Sequence, residues 1–303
     1  MYGKVLLKTA KQYYHIVRSR TREAQRYLCR AVFRLGARNM RNIAFSKWQG
    51  TGNDFIVIDD RDGMFPASDI ALVRHLCDRH VGIGSDGLIL VQASRVESMA
   101  YHMEFFNPDG SRSFCGNGSR CAFAFYSTLL AHGFPKRALS FTAIDGEHEA
   151  AWAEEQVGVS MRDVLSIERI DDHIDFLHTG SPHLVCWVDD PGSIDIITEA
   201  HVHRYSERFA KAGINVNFVR WHDGRLEMRT YERGVEAETL SCGTGVTAAA
   251  LSAMSHGSGA EACDVHTRGG DLRVLASSDG SGGYNSITLT GPVREVFNGV
   301  VSI

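Results

Sequence analysis

The sequence predicts an α/β protein, of the α+β kind, built from two similar halves. The main reason is a weak internal repeat, in which a strand, a polar loop, the pattern Cys-Gly-x-Gly and a helix occur twice. Its two cysteines, Cys115 and Cys242, are 127 residues apart. A second reason is the length of 303 residues, enough for one large or two ordinary domains. We expect two pseudo-symmetric halves, each a curved mixed sheet wrapped around a central helix, with the active site in the cleft between them.

Turn signals and apolar spacing predict the elements of the first half. The expected elements are a strand, a Gly-Thr-Gly-Asn-Asp turn and a strand over 43–59, a helix over Ser68–His80 with Ser68 as N-cap, strands at Leu88–Val91 and Tyr101–Phe106, and a helix over Gly116–His132 closed by Gly133 and Pro135.

The second half is predicted in the same way. The expected elements are short strands and turns over 139–190, a helix over Thr198–Ala212, a hairpin of Asn215–Trp221 and Leu226–Tyr231 over the turn His222-Asp223-Gly224, a helix rich in small residues over Gly243–His256, and further strands with turns at Gly269-Gly270 and Gly282-Gly283.

Domain boundaries follow from the repeat and from charge. We predict a basic N-terminal extension over 1–39, an N-terminal domain over 40–160, a C-terminal domain over 161–285, and strands over 286–303 that return to the N-terminal domain. The extension has ten Lys/Arg and one acid, which is typical of an organellar transit peptide. An amphipathic surface helix and translation from a misplaced start codon upstream of Met40 are open alternatives. Deleting the extension is expected to leave activity intact.

Composition excludes several classes of protein. The chain is 44% hydrophobic and 22% charged, which is typical of a soluble globular protein. No apolar run reaches the roughly 18 residues of a membrane span. The net charge is −4, and the extension contributes +9, so the remainder carries −13. This acidic body argues against nucleic acid as a partner.

The seven cysteines form no dense framework, which favours free thiols in a reducing compartment and a cytoplasmic location. No Cys-x-x-Cys pair occurs, and His201 and His203 have no further ligands nearby in sequence, so no metal site is predicted. Four cysteines are interpreted as ordinary buried residues: Cys77, Cys121, Cys186 and Cys263.

A glycine-rich segment, Gly82-Ile83-Gly84-Ser85-Asp86-Gly87, satisfies the GxGxxG pattern. Dinucleotide binding requires a strand before this pattern and a helix after it. Here the predicted order is the reverse, so we interpret the segment as a flexible turn.

The two Cys-Gly-x-Gly turns favour proton transfer at carbon. Inverting a stereocentre requires removal of a proton from one face and delivery to the other, and two residues on opposite faces achieve this without moving. Cysteine serves as base or acid, and a helix N-terminus lowers its pKa. Without pyridoxal phosphate as electron sink, backbone N–H groups at the helix starts would stabilise the developing charge. A redox disulfide between Cys115 and Cys242 is interpreted as an inactivated form.

The residues around these turns resemble the diaminopimelate epimerase family from Met40 to Ile303. The similar blocks are Gly50-Thr51-Gly52-Asn53-Asp54-Phe55, Phe106-Asn107-Pro108-Asp109-Gly110, Cys115-Gly116-Asn117-Gly118-Ser119-Arg120-Cys121, Thr179-Gly180-Ser181-Pro182-His183, Tyr231-Glu232-Arg233-Gly234, and Glu238-Thr239 leading to Cys242-Gly243-Thr244-Gly245. The resemblance implies cofactor-independent interconversion of LL- and meso-diaminopimelate, on the path to lysine and peptidoglycan, by a homodimer.

The resemblance also implies residue roles. Cys115 and Cys242 would be the acid/base pair. Substrate would be bound by Asn53, Asn107, Asn117 and Asn215, while Gly116 with Asn117 and Gly243 with Thr244 would donate to the reacting carboxylate. Glu232 would contact the reacting amino group, and Arg233 would pair with the distal carboxylate. His183 would help to set the protonation of the thiols without contacting the substrate.

Three departures and two rivals accompany this interpretation. Ser181 stands where the family often has Asn, Gly87 stands where many members have a Gln contact, and the loop before Cys242 is one residue longer. A proline racemase or hydroxyproline epimerase would typically have His at Asn117 and Asp at Ser241. A non-catalytic thiol-redox or amino-acid-binding protein is the other alternative. The sequence does not indicate which cysteine acts on which stereoisomer.

Overall fold

The computed structural model of the protein describes residues 42–130, 138–258 and 261–303. The basic extension, Cys29, Gly133 and Pro135 lie outside these described residues. The chain divides into two compact units, and the larger, Phe45–Gly299, contains every site residue considered below. In the described part of the chain, no helix is both long and apolar enough to cross a membrane.

The first half is a run of strands with two helical connections. Its described strands are β1 (Asn42–Gly50), β2 (Asn53–Asp60), β3 (Gly87–Gln92), β4 (Tyr101–Phe106), β5 (Leu139–Ala143), β6 (Gly146–Ala153) and β7 (Gln156–Ser160). Helix α1 (Ile70–Cys77) lies between β2 and β3, and helix α2 (Gly116–Thr128) lies between β4 and β5.

The second half repeats this order of elements and has three further strands. Its described strands are β8 (Glu168–Asp171), β9 (Ile174–His178), β10 (Pro182–Trp187), β11 (Asn215–His222), β12 (Arg225–Glu232), β13 (Ala237–Thr239), β14 (Ala262–Thr267), β15 (Gly270–Ser278), β16 (Tyr284–Pro292) and β17 (Arg294–Ser302). Helix α3 (Ile196–Arg204) lies between β10 and β11, and helix α4 (Gly243–Ala253) lies between β13 and β14.

Strand pairing shows that the two halves are related by pseudo-symmetry. From β1 to β7 the pairs are antiparallel, parallel, antiparallel, parallel, antiparallel and antiparallel. The same series runs from β9 to β16, with β12 pairing with β14. The counterparts β7 and β16 pair with each other in antiparallel fashion. The predicted fold of two similar halves is therefore confirmed, and the described strands of both halves join in one mixed sheet of 17 strands.

Helices α2 and α4 are the central helices of the two halves. Eleven of the 13 residues of α2 and ten of the 11 residues of α4 are buried. A helix that is apolar or small all round is typically buried, and α4 fits this pattern with a run of alanines at 248–250. Both helices pack against the strands of their own half, so each sheet wraps around its cysteine-bearing helix.

The predicted hairpin is confirmed as β11 and β12. Its turn places Asp223 and Gly224 in the left-handed region, with φ of 50° and 77°. Two consecutive residues with positive φ match the twist of the strands, and Asp-Gly is a favoured pair for this turn.

Helix boundaries are where the sequence predictions were wrong. Helix α1 is capped by Asp69, whose carboxylate accepts a hydrogen bond from Leu72 N at 3.0 Å, and not by Ser68. Helix α3 begins earlier than predicted, because the Asp195 side chain caps it, and its last residue is Arg204 rather than Ala212. Helix α2 ends at Thr128, four residues before the predicted His132.

Candidate active site

The first cysteine lies at the start of α2. Cys115 has an extended backbone, and its sulfur accepts a hydrogen bond from Gly118 N at 3.3 Å. Gly118 packs against this thiol, since a Cβ there would lie 3.4 Å from the sulfur. On the other side, Asn53 Oδ1 lies 4.0 Å from Sγ, as acceptor for the thiol hydrogen. The first thiol is thus held between a backbone donor and an amide oxygen.

The second cysteine occupies the same position before α4 but has other partners. Cys242 has an extended backbone and makes no side-chain cap hydrogen bond. Its sulfur lies 3.4 Å from Thr244 Oγ1. That hydroxyl oxygen lies 2.9 Å from His183 Nε2. A side-chain hydroxyl therefore connects the second thiol to a histidine.

The orientation of Asn217 fixes the direction of these hydrogen bonds. Asn217 Nδ2 donates to the carbonyl oxygen of Leu184 at 2.8 Å and also lies 3.2 Å from His183 Nδ1. Because the carbonyl can only accept, the amide nitrogen faces the ring, and Nδ1 is an acceptor. The proton of His183 is then on Nε2 and is donated to Thr244, whose own hydrogen is directed at Cys242. Burial lowers the pKa of His183 to about 3, which keeps the ring neutral.

The starts of the two central helices are in direct contact. Asn117 Nδ2 donates to Ser241 O at 3.3 Å. A Cβ on Gly243 would lie 3.2 Å from Asn117 Oδ1 and 3.3 Å from Asn117 N, so the second turn packs closely on the first. Asn117 Oδ1 and Ser241 Oγ are buried and have no hydrogen-bond partner among the described residues. Two buried polar atoms without a described partner therefore lie where the helix starts meet.

Burial dominates the protonation of both thiols. It raises the pKa of Cys115 to about 12, although the Gly118 N–H opposes the shift. Burial also raises the pKa of Cys242 well above its usual range, followed by the charge of Glu232. A helix N-terminus was expected to lower these pKa values, but desolvation of the thiolate outweighs it here.

Glu232 acts electrostatically on both thiols. It lies at the end of β12, and its Oε2 accepts a hydrogen bond from Thr239 Oγ1 at 2.9 Å. Burial raises the pKa of this carboxyl. Its negative charge raises the pKa of both Cys115 and Cys242. A single carboxylate is therefore shared by the two half-sites.

A second cluster joins Ser181, Asn215 and Arg233. Ser181 Oγ accepts hydrogen bonds from Asn215 Nδ2 at 2.9 Å and from Arg233 Nη2 at 3.4 Å. Asn215 Oδ1 in turn accepts from Arg233 N at 2.9 Å. The parallel register of β10 and β11 pairs His183 with Asn215. This cluster therefore lies at the same end of these two strands as the histidine that is linked to Cys242.

Not every predicted residue joins these clusters. The Asn107 side chain donates hydrogen bonds to Ser111 and Ser113, within its own turn, which fits a local cap. Gly116 lies where a Cβ would meet Leu289 and Met161 at 3.3–3.4 Å. The four cysteines interpreted as structural are buried, as predicted.

Three residues of the site were not predicted from the sequence: Asn217, Thr230 and Thr239. Thr230 Oγ1 donates to Asn217 Oδ1 at 3.1 Å and so completes the chain behind His183. Asn215 and Asn217 lie on one face of a buried strand, and two amides at that spacing were a usable signal. Thr239 belongs to the Glu238-Thr239 block that resembles the family, but no role was assigned to it from the sequence.

Paired thiols at the starts of two symmetry-related buried helices, with one carboxylate acting on both, define an isomerase of the epimerase and racemase class. The fold agrees with solved structures of low identity. A phenazine biosynthesis protein of the PhzF family from Bacillus anthracis has a TM-score of 0.66 at 12% identity, covering 87% of this chain and 100% of that chain. A hydroxyproline epimerase from Agrobacterium vitis has a TM-score of 0.64 at 15% identity, covering 87% and 93%. These likenesses concern the fold alone.

Sequence comparison identifies the family. The family profile described as diaminopimelate epimerase matches residues 45–165 and 176–296. A diaminopimelate epimerase from Flavobacterium psychrophilum is 42% identical over 255 residues, covering 83% of this chain and 97% of that protein. The chain belongs to the diaminopimelate epimerase family.

Proposed function

We propose that this protein interconverts LL- and meso-2,6-diaminopimelate, in the biosynthesis of lysine and peptidoglycan precursors. The observation that carries the proposal is the contact between the two cysteine-bearing helix starts through Asn117 and Gly243. This contact brings two thiols to one site from opposite halves. The family membership of the chain supports the choice of substrate.

Cys115 and Cys242 act as base and acid on opposite faces of the α-carbon. The thiolate removes the α-proton, and the opposite thiol delivers a proton to the other face. Because burial raises the pKa of both thiols, each thiolate is a stronger base than a solvated one, which suits a weakly acidic C–H group. Reversal of the two roles accounts for the reverse reaction.

Backbone N–H groups of Gly116, Asn117, Gly243 and Thr244 hold the reacting carboxylate. They lie in the first turns of α2 and α4, where N–H groups lack intrahelical partners and the helix dipoles favour an anion. These donors stabilise the negative charge that moves onto the carboxylate as the proton leaves. The chemistry therefore needs no pyridoxal phosphate.

Polar side chains give the site its preference for diaminopimelate. Glu232 receives the reacting ammonium group, while Asn53 and Asn107 complete the binding surface. Arg233 and Asn215 form the distal subsite with Ser181. Because Ser181 Oγ already accepts two hydrogen bonds, its own hydrogen is free to donate to the distal carboxylate, in place of the Asn that the family often has.

Access and assembly extend the proposal. Cys242 is only 9% exposed, so the halves, over 40–160 and 161–285, would open to admit substrate and close to exclude water. Residues 286–303 would return to the N-terminal domain. We also propose a cytoplasmic location, because the cysteines in the described part of the chain are free thiols, and a homodimer, which the resemblance to the family implies. Sedimentation velocity of the purified protein tests the dimer.

Hydrogen exchange at carbon tests the proposed reaction. The reduced protein in D₂O, without added pyridoxal phosphate, is expected to exchange the α-hydrogen of diaminopimelate and to invert its centre, as seen by NMR. Proline serves as the matched alternative substrate and is expected to be inert. Normal binding of diaminopimelate without exchange would refute the epimerase proposal and favour an amino-acid-binding protein, whereas exchange of proline would favour the proline racemase alternative.

A further inference from the structure

The glycine-rich segment between α1 and β3 delivers a carboxylate to the active site. Asp86 Oδ2 accepts hydrogen bonds from Asn53 Nδ2 at 2.7 Å and from Asp54 N at 3.2 Å. Asp86 Oδ1 accepts from Arg79 Nη2 at 2.6 Å. Both carboxylate oxygens are therefore engaged, and one of them holds the amide that faces Cys115.

The chemistry of a carboxylate decides which end of the Asn53 amide faces the thiol. An ionised carboxylate can only accept hydrogen bonds, so Asn53 must present its Nδ2 to Asp86. The opposite end, Oδ1, then faces the sulfur of Cys115 at 4.0 Å. That oxygen can accept the thiol hydrogen but can offer nothing to a thiolate.

We propose that Asp86 is a positioning residue for Cys115, which it controls by fixing the orientation of the Asn53 amide. The acceptor oxygen of Asn53 then stabilises the protonated thiol, the form in which Cys115 delivers a proton. This inference deepens the proposed function, and its catalytic meaning rests on that function. The orientation itself can be measured without any turnover.

The shape of the glycine-rich segment supports this role. A Cβ on Gly82 would lie 1.8 Å from His75 O, and Gly84 has a φ of +80°. The amides of Ile83 and Gly84 bond to Leu76 O, each at 3.0 Å. These amides are engaged at the end of α1, so they are not free to cradle a phosphate. The glycines fold the segment tightly and bring Asp86 next to Asn53.

Several charged groups surround this arrangement. Arg79 also pairs with Asp54 at 2.6 Å, and Lys47 pairs with Asp54 from β1. On the Cys115 side, Glu232 raises the pKa of the thiol and Arg120 lowers it. Asp86 also raises the pKa of Glu232. The effect of a substitution at Asp86 on Cys115 must therefore be compared with its effect on Cys242, because Glu232 acts on both thiols.

Asp86→Asn is the decisive variant. One amide oxygen cannot accept from Arg79 on one side and from Asn53 on the other, so Asn53 reverses in part of the molecules. A reversed amide donates to the Cys115 thiolate and stabilises it. We expect the pH midpoint of Cys115 alkylation by iodoacetamide to fall by about one pH unit, as read by peptide mapping.

Two controls separate this effect from a merely structural one. Asp78→Asn weakens the same segment, since Asp78 caps His80 N and Val81 N, but it does not touch Asn53, and it should leave the midpoint unchanged. Asp86→Glu keeps the carboxylate and should restore most of the wild-type midpoint. An equal fall for Cys242 in Asp86→Asn would indicate a general charge effect and would overturn the proposal.

A double-mutant cycle tests whether Asp86 acts through Asn53. In an Asn53→Ala background, Asp86→Asn should produce no further shift of the Cys115 midpoint. An additive shift overturns the proposal. If Asp86→Asn does not fold, Asn53→Ala alone must still lower the midpoint, and an unchanged midpoint overturns it. Epimerase activity is measured in parallel and should fall about tenfold in Asp86→Asn. If the wild-type protein shows no epimerase activity while the Cys115 midpoint still shifts in Asp86→Asn, the role of Asp86 is supported and the proposed function is refuted.

Discussion

The two cysteine-bearing turns have the same backbone and different side-chain partners. Cys115 and Cys242 both precede a buried central helix with extended φ and ψ. The first thiol faces an amide oxygen, Asn53 Oδ1, and the second faces a hydroxyl, that of Thr244. The fold therefore supplies two equivalent positions, and the neighbouring side chains make them chemically distinct.

The two sites differ in the direction of their side-chain hydrogen bonds, although Cys115 also accepts a backbone hydrogen bond from Gly118 N. An oxygen acceptor favours a protonated thiol, whereas a hydroxyl donor backed by His183 favours a thiolate. Glu232 raises the pKa of both thiols and so does not distinguish them. We infer that the two half-sites are tuned by opposite means for one reversible reaction. The predictions below test this asymmetry, from the largest expected effect to the smallest.

Removing either thiol should have the largest effect. Cys115→Ala and Cys242→Ala are each expected to lower the rate of inversion at least about 1,000-fold, because one face then has no acid or base. The remaining thiol can still exchange the α-hydrogen of the one stereoisomer that faces it, with retention. NMR of LL- and meso-substrate in D₂O should therefore show complementary exchange in the two variants. The same stereoisomer exchanging in both would contradict the two-base arrangement.

The buried His183 should make the folded protein less stable in acid. The pKa of His183 is lowered to about 3 by burial, so between pH 6.5 and pH 3 the unfolded chain binds a proton that the folded chain does not. Stability must then fall as the pH drops below about 6.5, and the loss at pH 5 is about 2 kcal/mol. In the His183→Gln variant, the unfolded chain has no imidazole at this position to take up the proton.

Urea unfolding at pH 7 and pH 5 measures this contribution. The wild-type protein should lose about 2 kcal/mol more than His183→Gln over this interval. His148, also buried but hydrogen-bonded to Asp145, provides the matched control as His148→Gln. Parallel losses in wild type and His183→Gln would show that His183 is not held neutral.

Removing the hydroxyl donor at the second thiol should have a smaller effect, confined to Cys242. Thr244→Val removes the hydrogen bond to Cys242 Sγ and leaves His183 Nε2 without its acceptor. We expect about a tenfold loss of kcat/KM and a higher pH midpoint for alkylation of Cys242 only. Thr244→Ser, which keeps the hydroxyl, should behave as wild type. An equal shift at Cys115 would mean that the half-sites are not separately tuned.

The sequence predicted the symmetric part of this site better than the asymmetric part. The duplicated Cys-Gly-x-Gly pattern was enough for the two halves and for both thiols, because local turn chemistry repeats visibly in sequence. The contact between Asp86 and Asn53 depends on the register of parallel strands β2 and β3, which pairs Phe55 with Gly87. No local pattern specifies that register.

Helix ends show the same limit on a smaller scale. Asp69 and Asp195 compete with neighbouring polar residues for the cap, and tertiary packing decides between them. The series of hydrogen bonds from Thr230 to Cys242 also takes its direction from the backbone carbonyl of Leu184. Every residue has such a carbonyl, so the sequence does not reveal this contact. Such contacts become visible only in three dimensions.

A buried cation is the last difference between the half-sites. Arg120, five residues after Cys115, has no exposed surface, and Thr247 is its counterpart five residues after Cys242. Arg120 Nη2 donates to Thr51 Oγ1 at 3.1 Å, but Nε and Nη1 have no partner among the described residues. Burial lowers the pKa of this guanidinium to about 10, and its charge lowers the pKa of Cys115.

An unpaired buried charge is costly for folding, and the charge of Arg120 acts on the pKa of Cys115, so we expect it to have a role at the thiol. Arg120→Met keeps the volume and removes the charge. We expect this variant to be at least as stable as wild type, with a free energy of unfolding in urea that is higher by about 1 kcal/mol. The pH midpoint of Cys115 alkylation should rise by about half a pH unit, while that of Cys242 stays in place. A stable variant with an unchanged Cys115 midpoint would show that the cation serves packing alone, and that the acceptor at Asn53 and the donor at Thr244 are sufficient to distinguish the two thiols.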